Sequence, residues 1–368
     1  MHVYIHVPFC ARRCSYCDFA IAVRRYVPTK RFVEAVRREW LGWQAHPVWA
    51  EAGRVRTVYF GGGTPSRLDP AGIAELLDAI REARPVSPDA EVTLEANPDD
   101  VTAARASAWQ AAGVNRVSLG VQSFDPAVLQ WMHRTHTAEQ VAPAVAAIRE
   151  AGIDDVSLDL IFGLPAAQGR NWERDLSLAF ALTPTHLSFY GLTVEPHTAL
   201  GRWTERGEVT PVDEDRYAAE FLRAHGALAA QGFEHYEVSN AALPGRRARH
   251  NSAYWRRAPF LGLGPSAHSG FGRTRRWNLR DWPAYERASA AGSSVQAGTE
   301  ELSEDAIALE ELYLGLRTAE GLPAVRLPED TVTAWTEAGW ARLTPTCRVR
   351  LTAEGWLRLD ALVAVASA

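Results

Sequence analysis

Six times between His2 and about Leu192, a short run rich in β-branched and aromatic residues is followed by an amphipathic helical stretch. This alternation leaves few folds open, because strands joined through helices lie parallel and each crossover needs a dozen or more residues. The strand candidates are Val3 to Val7, Val55 to Phe60, Glu91 to Glu95, Arg116 to Gly120, Val156 to Ile161 and His186 to Gly191. Several read as nearly continuous apolar runs, as expected of strands covered on both faces. Six units are too few to close an eight-stranded barrel. The expected fold class is therefore α/β, a partial, open (β/α)6 barrel of TIM-like type. A chain of 368 residues, 47% of them apolar, has room for one such domain and a small appendage. In parallel α/β folds ligands gather where loops leave the C-terminal ends of strands.

The distinctive residues fall at those ends. After the first strand comes Cys10-Ala11-Arg12-Arg13-Cys14-Ser15-Tyr16-Cys17, which holds three of the four cysteines. Three thiolates at this spacing suit a four-iron cluster with one iron left open to a small molecule. A zinc site would want a second ligand knuckle, and a disulfide framework would want far more than 4 Cys in 368 residues. Cys347 stands apart in a basic, polar stretch and reads as an ordinary thiol. The second strand ends in Gly61-Gly62-Gly63-Thr64-Pro65, a turn whose backbone can approach a ligand closely. Glu95, Gln122 and Asp159 sit at or near later strand ends, and Met132-His133-Arg134 follows the fourth strand. Taken singly, each has an ordinary reading: Gln122 as a helix cap, Arg134 on a solvated face, Asp159 paired to a neighbour.

The CxxxCxxC spacing after Tyr4-Ile5-His6-Val7-Pro8-Phe9, with the GGGTP string one βα unit later, resembles the radical S-adenosylmethionine (SAM) superfamily. Within it, the resemblance is to the branch containing oxygen-independent coproporphyrinogen oxidase and the haem chaperone HemW. It implies a 4Fe-4S cluster on Cys10, Cys14 and Cys17. It also implies SAM contacts from Tyr4, Tyr16, Gly62, Gly63, Thr64, Glu95, Gln122, Arg134 and Asp159. The chemistry implied is one-electron cleavage of SAM to a 5'-deoxyadenosyl radical, which requires an electron donor.

Further on, His250-Asn251-Ser252-Ala253-Tyr254-Trp255 places an imidazole beside two large aromatics. A flat iron-bearing ligand would use such residues, and so would ordinary core packing. The string resembles the HNxxYW motif of HemW, associated with haem binding, which makes His250, Asn251, Tyr254 and Trp255 candidate haem contacts and His268 a second candidate ligand. The oxidase branch resembles CxxxCxxCxC, whereas Phe19 stands at the position of the extra cysteine here. The expected division is a core over 1–235, an extension over 236–290 carrying the HNxxYW string, and a small helical, winged-helix-like C-terminal domain over 291–368. In that last part a helix is expected to open at Glu300 and another to run from Glu354 to Val363.

The function this resemblance implies is that of a haem chaperone passing haem to an acceptor protein, with coproporphyrinogen III decarboxylation as the alternative. A third reading is a radical SAM enzyme acting on RNA or protein through the arginines between Arg246 and Arg257. Net charge is -5, so no global field favours nucleic acid. No apolar run is long enough to span a bilayer, no signal peptide is evident, and an oxygen-sensitive cluster suits a reducing cytoplasm.

Overall fold

All six expected strands form, and they lie side by side. The computed structural model describes residues 1–48 and 53–367. Its large sheet has twelve strands: β1 (His2–Val7), β2 (Val55–Gly62), β3 (Val86–Ala96), β4 (Arg116–Gln122), β5 (Asp155–Phe162), β6 (His186–Gly191), β7 (Glu234–Glu237), β8 (Asn240–Ala242), β9 (Phe260–Leu263), β10 (His268–Phe271), β11 (Thr274–Asn278) and β12 (Gln296–Glu301). Their order is β12-β11-β10-β9-β1-β2-β3-β4-β5-β6-β8-β7. From β9 to β6 neighbouring strands are parallel, and both flanks are antiparallel. The fold is thus α/β with a mostly parallel central sheet.

β9 is a seventh parallel strand, on the far edge of β1, that the six-unit reading did not include. Only four residues long, it carries too short an apolar run to distinguish strand from loop by periodicity. The sheet also continues past residue 290, through β12.

Register explains the composition of the strands. Ile5, Phe60, Leu94, Val117 and Val156 are successive cross-strand partners, and all are buried. One residue earlier on each strand, Tyr4, Tyr59, Thr93 and Arg116 form a second row, and Glu95, Ser118, Ser157 and His186 a third. Because side chains alternate between faces, the first row packs with the helices while the other two face inward. The expected near-continuous apolar strands are in fact alternating ones, and the polar residues inside bond to one another. Ser118 Oγ donates to both oxygens of Asp159 at 2.9 Å, and His186 bridges Ser157 and Tyr236.

The helices that cover the apolar face include α1 (Thr29–Trp43), α2 (Pro70–Ala83), α3 (Ala103–Ala112), α4 (Val141–Glu150), α5 (Trp172–Ala181) and α6 (Glu214–Ala230). Side chains of Asp69, Thr102, Asn171 and Asp213 cap the first turns of α2, α3, α5 and α6, each contributing about 1 kcal/mol. Past the parallel array come α7 (Arg249–Trp255), α8 (Trp282–Ala290) and α9 (Glu304–Arg317). Glu39 on α1 ties this late segment to the core, accepting hydrogen bonds from Gly264 N (2.8 Å), Asn278 Nδ2 (2.6 Å) and Tyr285 OH (2.6 Å). Burial pushes its carboxyl up to about 7.

The C-terminal part adds a three-stranded sheet from Leu322–Pro323, Ala341–Leu343 and Arg348–Leu351, packed with α9. Two expectations shift here. Glu300 and Glu301 belong to β12, paired with Arg275 and Thr274, so α9 starts at Glu304 behind a Ser303 cap. The helix expected from Glu354 to Val363 is split into Ala353–Trp356 and Leu359–Ala366, with Trp356 Nε1 donating to Leu316 O.

Candidate functional site

The C-terminal ends of β1 to β6 open on one cavity of about 450 Å³, and the loops that follow them line it. That volume suits a drug-sized ligand. Cys10, Cys14 and Cys17 are in its wall with Tyr16, Gly62, Gly63, Thr64, Glu95, Gln122, Arg134 and Asp159. Of the residues expected around cluster and SAM, only Tyr4 stands behind the wall, stacked at 6.0 Å on Tyr59, which does line it. Cys347 is exposed in the turn before Arg348–Leu351, and no part of the cavity wall.

The cysteine loop is held from three sides. Its Ser15 N donates to Met132 O, and Thr64 Oγ1 meets Cys10 Sγ at 3.4 Å. Arg134 bridges Asn97 Oδ1 (2.6 Å) and Gly120 O (2.9 Å), and its other terminal nitrogen stands 3.6 Å from Cys14 Sγ. Burial pushes the Cys10 thiol up and that of Cys17 to about 11, so an incoming metal has to displace their protons.

Two glycines set the approach of backbone to thiol. At Gly62, with φ +112°, an added Cβ would lie 2.6 Å from the His6 ring. At Gly63 it would lie 2.7 Å from the Pro8 carbonyl group and 3.0 Å from Cys10 Sγ. The cradle thus exists only without side chains. Gln122 has φ +66° where the β4–β5 ladder slips by one residue, a bulge that re-aims a side chain at a strand end.

Glu95 is a half-buried carboxylate of the cavity wall. Tyr59 OH donates to Oε1 at 2.8 Å and Gly62 N to Oε2 at 3.0 Å. Burial outweighs both bonds and pushes its carboxyl up to about 7, so a ligand that donates to it favours the ionised form. Asp159 is raised by burial too, against the bonds from Ser118. Tyr59 and Ser118 carried no signal in the sequence. Both lie mid-strand, and only the register with Glu95 brings them into the wall.

The donor set fits a cluster: soft thiols, a side-chain-free cradle beside one of them, and a cation next to another. Among the described residues no three His, Cys, Asp or Glu side chains are grouped as around a single metal ion. A cubane holds its thiolates on separate irons, a wider arrangement than one ion's shell.

The HNxxYW string is elsewhere. It forms α7, whose first two amides are capped at 2.9 Å by the two oxygens of Glu91 on β3. His250 is 1% exposed, its Nδ1 2.6 Å from Thr57 Oγ1 and its Nε2 2.8 Å from Tyr254 OH. Its ring stacks on Tyr59 at 5.0 Å. None of His250, Asn251, Tyr254 or Trp255 lines the strand-end cavity. Trp255 is half-buried under the Arg317 guanidinium, 4.3 Å above its ring. His268 is exposed at the start of β10 and stacks on Trp277.

The arginines between 246 and 257 are matched by carboxylates. Arg246 pairs with Asp155, Arg247 with Glu234, Arg249 with Asp89, Arg256 with Glu320, and Arg257 with Glu310 and Glu311. Cations so paired do not make the unopposed patch that phosphate binding uses. No helix among the described residues is long and apolar enough to cross a membrane.

Comparison with known proteins agrees with this geometry. The Radical SAM superfamily model matches residues 4–179. The heme chaperone HemW of Mycobacterium tuberculosis (strain ATCC 25618 / H37Rv) is 39% identical over 332 residues, covering 88% of this chain and 83% of that protein. The HemW of Bacillus subtilis (strain 168) is 33% identical over 329 residues, covering 89% and 86%. In fold, the chain is similar to the solved structure of coproporphyrinogen III oxidase (HemN) from Escherichia coli, a radical SAM enzyme, with a TM-score of 0.80 at 22% identity over 98% of this chain and 88% of that one. With cluster loop, glycine cradle and strand-end cavity in place, and relatives matched over most of their length, the chain belongs to the radical SAM superfamily and, within it, to the family of the heme chaperone HemW.

Proposed function

We propose that this protein is a haem chaperone, which binds haem and passes it to an acceptor protein while holding a 4Fe-4S cluster and SAM. The observation that carries this reading is the run of HemW similarity through 88% of the chain, in a molecule whose three loop cysteines and GGGTP turn share one cavity wall. Cys10, Cys14 and Cys17 would hold the cluster. When bound, the cluster supplies a single electron to SAM. Gly62 and Gly63 keep the wall open to the ligand, Glu95 and Asp159 accept its hydrogen bonds, and Arg134 fixes the Cys14 arm of the loop.

Haem is assigned to the α7 region. Asn251 and Trp255 on that helix are half-exposed, whereas His250 reaches iron only by giving up Thr57 or Tyr254. A reducing cytoplasm is the compartment this reading calls for.

The alternative is coproporphyrinogen III oxidase. Phe19 is 58% exposed in the cavity wall, at the position where the oxidase branch resembles a further cysteine. Anaerobic reconstitution followed by two titrations separates the readings: haem alone, and coproporphyrinogen III with SAM and a reductant. Stoichiometric haem uptake without decarboxylated product is the expected result. Formation of protoporphyrinogen, lost in Cys14→Ser, would establish the oxidase instead.

A further inference from the structure

Six of the chain's 39 basic residues fall between Ala11 and Arg31, against one carboxylate, Asp18, in a protein whose net charge is -5. All six are exposed. Arg31 is already paired with Glu286. Among the described residues, Arg12, Arg13, Arg24, Arg25 and Lys30 have no carboxylate at ion-pair distance, in contrast to the neutralised arginines between Arg246 and Arg257. The same stretch exposes apolar surface: Phe19, Val23 and Tyr26 are 58%, 45% and 78% exposed. Exposed aromatics among unpaired cations are the composition of a protein contact.

The backbone joins this surface to the cluster loop. Phe9–Cys10 and Ala22–Val23 form a two-stranded parallel ladder, in which Ala22 N donates to Pro8 O (2.7 Å) and Arg24 N to Cys10 O (2.9 Å). Arg67 holds the turn from below, donating to the carbonyls of Arg24 (2.8 Å) and Arg25 (3.1 Å). The exposed Arg24-Arg25-Tyr26 turn is therefore one hydrogen bond from the peptide of a cluster cysteine.

We propose that this turn is the docking surface of a small acidic electron-transfer protein of flavodoxin or ferredoxin type. The inference rests on the cluster reading above. One electron leaves the reduced donor and one enters the cluster, and no atom is transferred. Opposite charge steers the donor, raising the encounter rate in a salt-dependent way, while the exposed apolar residues give the short-lived complex its contact area.

The test uses the full chain with its cluster reconstituted anaerobically and a bacterial flavodoxin as donor. Stopped-flow reduction by pre-reduced flavodoxin is compared with reduction by photoexcited deazaflavin, a small donor that needs no docking. The Arg24→Glu/Arg25→Glu variant should lose on the order of tenfold in the flavodoxin rate at low salt, with iron content and deazaflavin reduction unchanged. The milder Arg24→Gln/Arg25→Gln should fall between, and added salt should slow the wild type most. Flavodoxin affinity by fluorescence anisotropy should follow the same order. Equal flavodoxin rates and affinities in all three proteins at low salt overturn the docking surface and leave the cluster reading intact. A wild-type protein that takes up no cluster overturns both.

Discussion

His250 and Thr57 meet in the protein interior, Nδ1 to Oγ1 at 2.6 Å, although 193 residues separate them in the chain. With Tyr254 on its other nitrogen and Tyr59 stacked on its face, the imidazole is part of the support behind Glu95. Burial pushes its pKa down to about 3.

That shift makes stability proton-linked. A histidine depressed from its ordinary 6.5 is neutral in the folded protein and charged in the unfolded one at mild acid pH. Its contribution is complete above about pH 6.5 and is lost as pH falls toward 3. Urea melts at pH 6.5 and 5.5 should show His250→Gln losing about 1 kcal/mol less than the wild type over that unit. Equal losses would mean the ring titrates freely.

The glycine cradle gives a sharper outcome. In Gly63→Ala the new methyl group meets main-chain atoms of Pro8 that have no freedom to swing away. Overpacking there should cost about 1–3 kcal/mol and displace Cys10. Far-UV circular dichroism should stay native while iron per chain after reconstitution falls. Full iron loading would show that the turn has slack.

Arg134→Lys tests the bridge between Asn97, Gly120 and Cys14. An ammonium lacks the planar fork that reaches all three. The loss of at least one partly buried charge-assisted bond, roughly 1.5–3 kcal/mol, should weaken SAM binding by about tenfold or more, measured by equilibrium dialysis on the cluster-loaded protein. Unchanged affinity would reduce Arg134 to a packing role.

Glu95, raised to about 7 by burial, should release a proton when a donor ligand docks. Below pH 7 the free carboxyl is largely protonated, and ligand donors favour the ionised form, so SAM binding at pH 6 should expel up to about one proton. Titration calorimetry in two buffers of different ionisation enthalpy reads that number. In Glu95→Gln the release should vanish, and persistence would assign the proton to another group.

The strands were legible because β-branched and aromatic runs such as Val156 to Ile161 have little else to become, and the site loops because cysteines and glycines cluster where those runs end. Tyr59 was not legible. It sits between Val58 and Phe60 as one more apolar residue, and its role appears only when β2 and β3 register to place its hydroxyl on Glu95. The same holds for β9, whose four residues gain strand character by pairing with β1.

The sequence by itself determined what depends on neighbours in the chain: the thiol spacing of Cys10, Cys14 and Cys17, the side-chain-free turn at Gly62 and Gly63, and the capped helices between strands. These are set by local backbone preference and covalent spacing. Tertiary structure alone decided that His250 is sealed between Thr57 and Tyr254, that the arginines from 246 to 257 are neutralised, and that Arg24 and Arg25 meet no carboxylate among the described residues. Burial and ion pairing are relations between distant segments, fixed by sheet register and by the carboxylates that packing brings alongside. No local pattern encodes them.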